Sequence, residues 1–166
     1  MTTQNHSFEQ LDADASLGFD EKQQTKLVCA IRERSSKKGL ESFGITILIV
    51  EDQDFSRKLL HDLLSRESVY SCYVAKNAVE AMELYATHAP DIVLLDINLP
   101  DFSGHDIASV LKKSDPHSHI VYITGSPLLK DIQAARQNNV KGFIAKPYSK
   151  NKIQTAIDHY VTLHTR

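Results

Sequence analysis

Three acids, a hydroxyl and a lysine stand in this 166-residue sequence where apolar runs end. Glu51 and Asp52 follow ITILIV, Asp96 closes IVLLD, Thr124 closes IVYIT, and Lys146 closes GFIAK ahead of Pro147. A surface acid needs no apolar run to deliver it, so one presented this way is either a ligand or a nucleophile. Three carboxylates gathered in one crevice repel and raise one another's proton affinity. A cation resolves the repulsion, and oxygen-only donors with water positions left open suit Mg²⁺ better than zinc. Lys146 adds a compensating charge and Thr124 a hydroxyl. A single acid here is commonplace, since Asp52 alone could cap a following helix. An acid pair, an acid, a hydroxyl and a lysine in that order are not expected by accident.

Whether these residues meet depends on the elements that carry them. ITILIV (45–50) is a continuous β-branched run of the kind buried on both faces of a parallel sheet. YSCYVA (70–75), IVLLD (92–96), IVYIT (120–124) and GFIAK (142–146) read as further strands. Helical spacing predicts helices over 55–67, with Phe55, Leu59, Leu60, Leu63 and Leu64 inward, and over 77–88, with Val79, Met82 and Tyr85 inward. Asn77 and Glu80 form a capping-box pattern at the start of the second helix. Further helices are expected over 105–114, 128–139 and 150–164, the last with Ile153, Ala156, Ile157, Tyr160 and His164 on one side. Five strand–helix units demand right-handed crossovers and a parallel sheet covered on both faces. Five strands are too few for an eight-stranded barrel, leaving an open doubly wound α/β sheet. In the order 2-1-3-4-5, strands one and three are neighbours, and the crevice beyond their carboxyl ends collects Glu51, Asp52 and Asp96.

The first 43 residues differ from the rest. Residues 1–18 are polar, without periodicity, and are expected to be disordered. A helix is expected over 20–38, capped by Asp20, ended by Gly39, with Leu27, Val28 and Ile31 as a narrow apolar stripe. A net charge of −2 offers no basic field for nucleic acid. No apolar run approaches the roughly 18 residues of a membrane span, and the N-terminus lacks a signal peptide's apolar core. Cys29 and Cys72 have no CxxC spacing and read as free thiols in a reducing compartment, hence a cytoplasmic location. His117 and His119, in DPHSH, read as surface residues.

The motifs ILIVED (47–52), IVLLDINLP (92–100) with Gly104, YITGS (122–126) and GFIAKP (142–147) resemble the receiver domains of two-component response regulators, of flavodoxin-like fold and chemotaxis type. The resemblance covers 45–164, within a receiver domain set at 44–166. It implies that Asp96 is the phosphoacceptor. It implies Mg²⁺ on Glu51, Asp52, Asp96 and the Asn98 backbone carbonyl. Thr124 becomes the switch hydroxyl, Lys146 the phosphoryl-pairing lysine on a loop fixed by a cis bond to Pro147, and Phe143 the switch aromatic. Asn98 and Ser126 fall at the positions that tune phosphoryl lifetime, and neither is bulky or acidic.

The resemblance also implies partners. These are a sensor histidine kinase or histidine phosphotransfer protein and a downstream effector, with no nucleic acid and no membrane. A homodimer through the N-terminal helix, or through the face of the fourth helix, fifth strand and fifth helix, is a further expectation. Only Thr165 and Arg166 follow His164, so a stand-alone receiver signalling by protein–protein contact is expected. A relay intermediate and a phosphate-independent binding module are the alternatives. Phosphatases with a DxD nucleophile motif are disfavoured, because Asn98 cannot serve as the general acid. No enzyme is expected beyond Mg²⁺-dependent transfer to, and loss from, Asp96 itself.

Overall fold

The computed structural model describes residues 44–164, and before them Lys22, Thr25, Lys26 and Cys29, which are helical and exposed. The expected disorder over 1–18 and the apolar stripe of the helix over 20–38 lie outside the described residues. From Gly44 onward strands and helices alternate. The strands are β1 (Ile45–Val50), β2 (Tyr70–Ala75), β3 (Ile92–Asp96), β4 (His119–Thr124) and β5 (Gly142–Ala145). The helices between and after them are α1 (Asp54–Leu64), α2 (Ala78–His88), α3 (Gly104–Ser114), α4 (Leu129–Gln137) and α5 (Lys150–His164). All strand pairs are parallel, in the order β2-β1-β3-β4-β5.

The runs that lack polar positions are the ones sealed on both faces, as β3 and β4 are along their full length. On one face Ile47, Ile49, Ile92, Leu94, Val121 and Ile123 pack under Leu60 and Leu64 of α1 and Ile153, Ile157 and Tyr160 of α5. On the other, Leu48, Val50, Val93, Leu95, Ile120 and Tyr122 pack under residues of α2, α3 and α4. Each buried aliphatic side chain contributes about 1.5–3 kcal/mol to holding these layers together.

Several details depart from the sequence reading. Phe55 is 81% exposed, and Leu59 lies at the boundary. The face of α1 on the sheet is set by Leu60 and Leu64, and Phe55 sits about 140° around the helix from Leu60. Val79 is exposed because Ala78, Ala81, Met82, Tyr85 and Ala86 form the inner stripe, with Val79 at its margin. His164 lies at the end of α5 and is exposed, its ring stacked on Tyr160. At α2, the Asn77 side chain accepts from Glu80 N–H (2.9 Å), but Glu80 returns to Lys76 N–H (3.0 Å), not to Asn77. The complete capping box is at α3, between Ser103 and Asp106. His119 is not a surface residue: β4 begins with it, it pairs with Ile92, and Tyr160 covers it.

Candidate functional site

The register brings the sequence-distant acids level. Val50 of β1 pairs with Leu95 of β3, so the next residues, Glu51 and Asp96, stand side by side. Thr124 pairs with Ala145, and Thr124 O accepts from Lys146 N–H at 2.8 Å, so Lys146 leaves β5 beside the end of β4. Glu51, Asp52 and Asp96 offer carboxylate oxygens all within 4.8 Å of one another. Glu51 and Asp96 are buried and Asp52 half-buried. Lys146 Nζ lies 2.6 Å from Asp96 Oδ2 and 2.7 Å from Glu51 Oε2. Asp96 Oδ1 accepts from Asn98 N–H at 2.9 Å, and Glu51 Oε1 from Gln53 N–H at 3.2 Å.

The electrostatics follow from burial and pairing. Burial pushes the Glu51 carboxyl up, the neighbouring Asp96 charge adds to this, and Lys146 opposes it. Burial alone lowers a lysine, but its pairing with the Asp96 and Glu51 carboxylates outweighs it and holds Lys146 above its ordinary value. The Glu51–Lys146 pair is close enough for Coulombic attraction yet misaligned for a hydrogen bond, so the buried Glu51 Oε2 has no directed donor. Three carboxylates against one ammonium leave negative charge over, and the donors are all oxygen. That set fits a hard divalent cation.

Supporting residues fix these groups in place. Arg57, on the first turns of α1, donates through Nη1 to Glu51 O (2.9 Å) and Asp52 O (3.1 Å) and pairs with Asp54 through Nη2. Nothing in its spacing tied it to the site, because its contacts there are to main-chain carbonyls. Asp52 does not cap α1: Gln53 holds that position and makes no side-chain cap. Asp101 accepts from Ala78 N–H at 2.8 Å, tying the loop after Asp96 to the start of α2. Gly104 N–H donates to Ile97 O at 2.8 Å, and a Cβ there would lie 2.4 Å from Asp96 O. The Lys146–Pro147 bond is cis, as the resemblance implies. Tyr148, just beyond, donates to Ser56 O at 2.9 Å and ties this loop to α1.

Thr124 ends β4 on the strand next to β3 and Asp96, and Phe143 lies on β5 three residues before Lys146. Thr124 is buried, and its hydroxyl accepts from Ser126 N–H at 3.3 Å within its own loop. Phe143 pairs with Tyr122 across β4 and β5, is 39% exposed, and meets the Tyr122 ring edge-to-face with centroids 5.7 Å apart. The Asn98 side chain is exposed.

Comparison with known proteins agrees with this layout. The sequence profile of the response regulator receiver domain matches residues 47–158. The polar-differentiation response regulator DivK of Brucella anthropi is 33% identical over 118 residues, 70% of this chain and 95% of that protein. The chemotaxis protein CheY of Halobacterium salinarum is 33% identical over 116 residues, 70% of this chain and 96% of that protein. Among solved structures, a CheY-like response regulator receiver domain protein from Methanospirillum hungatei superposes with TM-score 0.69 at 21% identity, over 74% of this chain and 97% of that one. A signal receiver domain of an HD domain-containing protein from Pseudomonas fluorescens gives TM-score 0.69 at 24% identity, over 74% and 98%. These two show a shared fold. Sequence profile, curated relatives and sheet order agree, and the chain belongs to the response regulator receiver domain family.

Proposed function

We propose that this receiver takes a phosphoryl group on Asp96 from a phosphohistidine of a sensor kinase or phosphotransfer protein and signals through protein contacts. The observation that carries the reading is the Lys146 ammonium bridging Asp96 and Glu51 inside a cluster of three carboxylates. Phosphoryl transfer asks little covalent work of a protein beyond positioning and charge stabilisation. An Asp96 carboxylate oxygen forms the new P–O bond as the P–N bond to the donor imidazole breaks. The imidazole keeps that electron pair and takes a proton from solvent.

Asn98 N–H and Lys146 hold the two Asp96 oxygens apart and so orient the nucleophile. Lys146 then pairs with the acyl phosphate, which carries roughly two negative charges. Glu51, Asp52, Asp96 and the Asn98 carbonyl would hold Mg²⁺, which supplies charge neutralisation at the phosphoryl oxygens when bound. Thr124 turns from its own loop to bond the new phosphoryl group, and Phe143, half exposed beside it, turns into the vacated space. The apolar side chains that α4 and β5 already expose, Leu128, Leu129, Ile132 and Phe143, support this face as the contact for an effector or a second copy. A cytoplasmic location accords with such partners.

The test is phosphorylation with a small acyl phosphate, read by mass spectrometry. Incorporation is expected at Asp96 alone and only with Mg²⁺, and Asp96→Asn abolishes it because the amide is a poor nucleophile. Equal incorporation in that variant would show that the phosphoacceptor lies elsewhere.

A further inference from the structure

The buried ring against which Phe143 rests does not stand alone. Tyr122 is fully buried on β4, two residues before Thr124 and on the same face. Its hydroxyl lies 3.1 Å from Nδ1 of His105, in the first turn of α3. His105 Nε2 lies 3.0 Å from Oδ1 of Asp131 on α4. The other Asp131 oxygen accepts from Leu128 N–H at 2.8 Å and so caps α4. At the opposite end of α4, Asn138 Nδ2 donates to His105 O at 3.1 Å. One residue of α3 thus holds both ends of α4 and the strand ring beneath Phe143.

With a neutral imidazole the donors fit one arrangement. A neutral imidazole has one N–H and one bare nitrogen. Asp131 is a carboxylate, held below its usual range chiefly by the bond from His105, so Nε2 carries the proton. Nδ1 is then the acceptor, and the Tyr122 hydroxyl, which burial pushes up to about 12, supplies the proton to it. The chain runs Tyr122 O–H to Nδ1, then Nε2–H to Asp131, with every member satisfied.

We infer that His105 is a positioning residue for the switch: it joins the Tyr122 wall beside Phe143 to the N-terminus of α4, so that the aromatic and the helix change position together. This rests on the phosphoacceptor reading for what triggers the change, but the joint itself exists without phosphate.

The test uses the full chain, unphosphorylated, in four forms: parent, His105→Leu, His105→Gln and Tyr122→Phe. In the parent, the ¹⁵N signals of His105 report a proton on Nε2. His105→Leu removes two side-chain hydrogen bonds, and amide exchange over 129–137 rises by about tenfold or more. The glutamine amide can donate to Asp131 and accept from Tyr122, so His105→Gln restores slow exchange. Tyr122→Phe loosens the same segment with the core volume kept.

Unchanged exchange over 129–137 in His105→Leu overturns the inference. So does an increase spread evenly over all strands, or one that His105→Gln fails to reverse, since either marks a merely structural loss. Mass spectrometry of Asp96 in the same samples after treatment with acyl phosphate reports separately on the phosphoacceptor reading.

Discussion

Glu51 carries a charge to a place that water does not reach, and only part of that charge is answered by Lys146. Its carboxyl is pushed up, first by burial and then by Asp96. A carboxyl raised in the folded state adds stability fully present below its unfolded value of 4.5 and lost as pH rises through the folded value. At neutral pH the ionised Glu51 therefore works against folding. Glu51→Gln is expected to raise the denaturant midpoint at pH 7 while weakening Mg²⁺ binding, measured by urea unfolding and calorimetric titration. An unchanged midpoint, or undiminished Mg²⁺ binding, would count against it. The acids were legible in the sequence because each ends an apolar run. Arg57 and His105 were not, because Arg57 reaches the site through main-chain carbonyls and the side-chain partners of His105 lie far along the chain.

The elements were legible where one face is sealed, and less so where a helix passes the rim of the sheet. β1, β2, β3 and α5 fall on the residues their patterns predict: β3 is buried throughout, whereas β2 is marked by its β-branched and aromatic residue types and α5 by the helical spacing of Ile153, Ile157 and Tyr160. Phe55 misled because apolar type does not report direction: Leu60 and Leu64, with Leu63 beside them, face the sheet, and Phe55 does not. The start of α3 shows how an element places the site. Gly104 lies so close that an added Cβ would meet Asp96 O at 2.4 Å and Ile97 Cα at 2.8 Å, and both are backbone atoms that cannot swing aside. Gly104→Ala is expected to cost about 1–3 kcal/mol by forcing α3 away from β3. It should also slow phosphorylation of Asp96, since its loop moves too. Thermal unfolding and acyl phosphate kinetics check the two parts, and a variant matching the parent in both would refute the close-packing account.

For the whole molecule, a group that withdraws stability in acid lies at the end of the sheet opposite the site. His119 is buried beneath Tyr160, with His159 and His164 nearby and Lys112 and Lys141 adding positive potential. Burial first, then these neighbours, push it down to about 4, and among the described residues its Nε2 has no hydrogen-bond partner. A base lowered in this way supports the fold above its ordinary value of 6.5 and withdraws that support as pH falls towards 4. The loss is about 3 kcal/mol over that window. His119→Leu should remove this contribution, so that urea unfolding at pH 4.5 and pH 7 differs less than in the parent. An equal pH dependence in the two proteins would show that other groups govern the acid limb. The sequence reading missed His119 because DPHSH resembles a loop, whereas β4 starts one residue early against Ile92.

The order β2-β1-β3-β4-β5 also has a consequence for synthesis. A chain is synthesised from its N-terminus, so β1 and β3 are complete before Lys146 is added. The acids belong to β1 and β3, whereas Lys146 follows β5, fifty positions after Asp96. A nascent chain that has assembled its first three strands therefore holds three converging carboxylates with no ammonium to answer them. A sheet formed to that stage would carry unrelieved like charge at its end, until the arriving lysine or a captured cation relieves it.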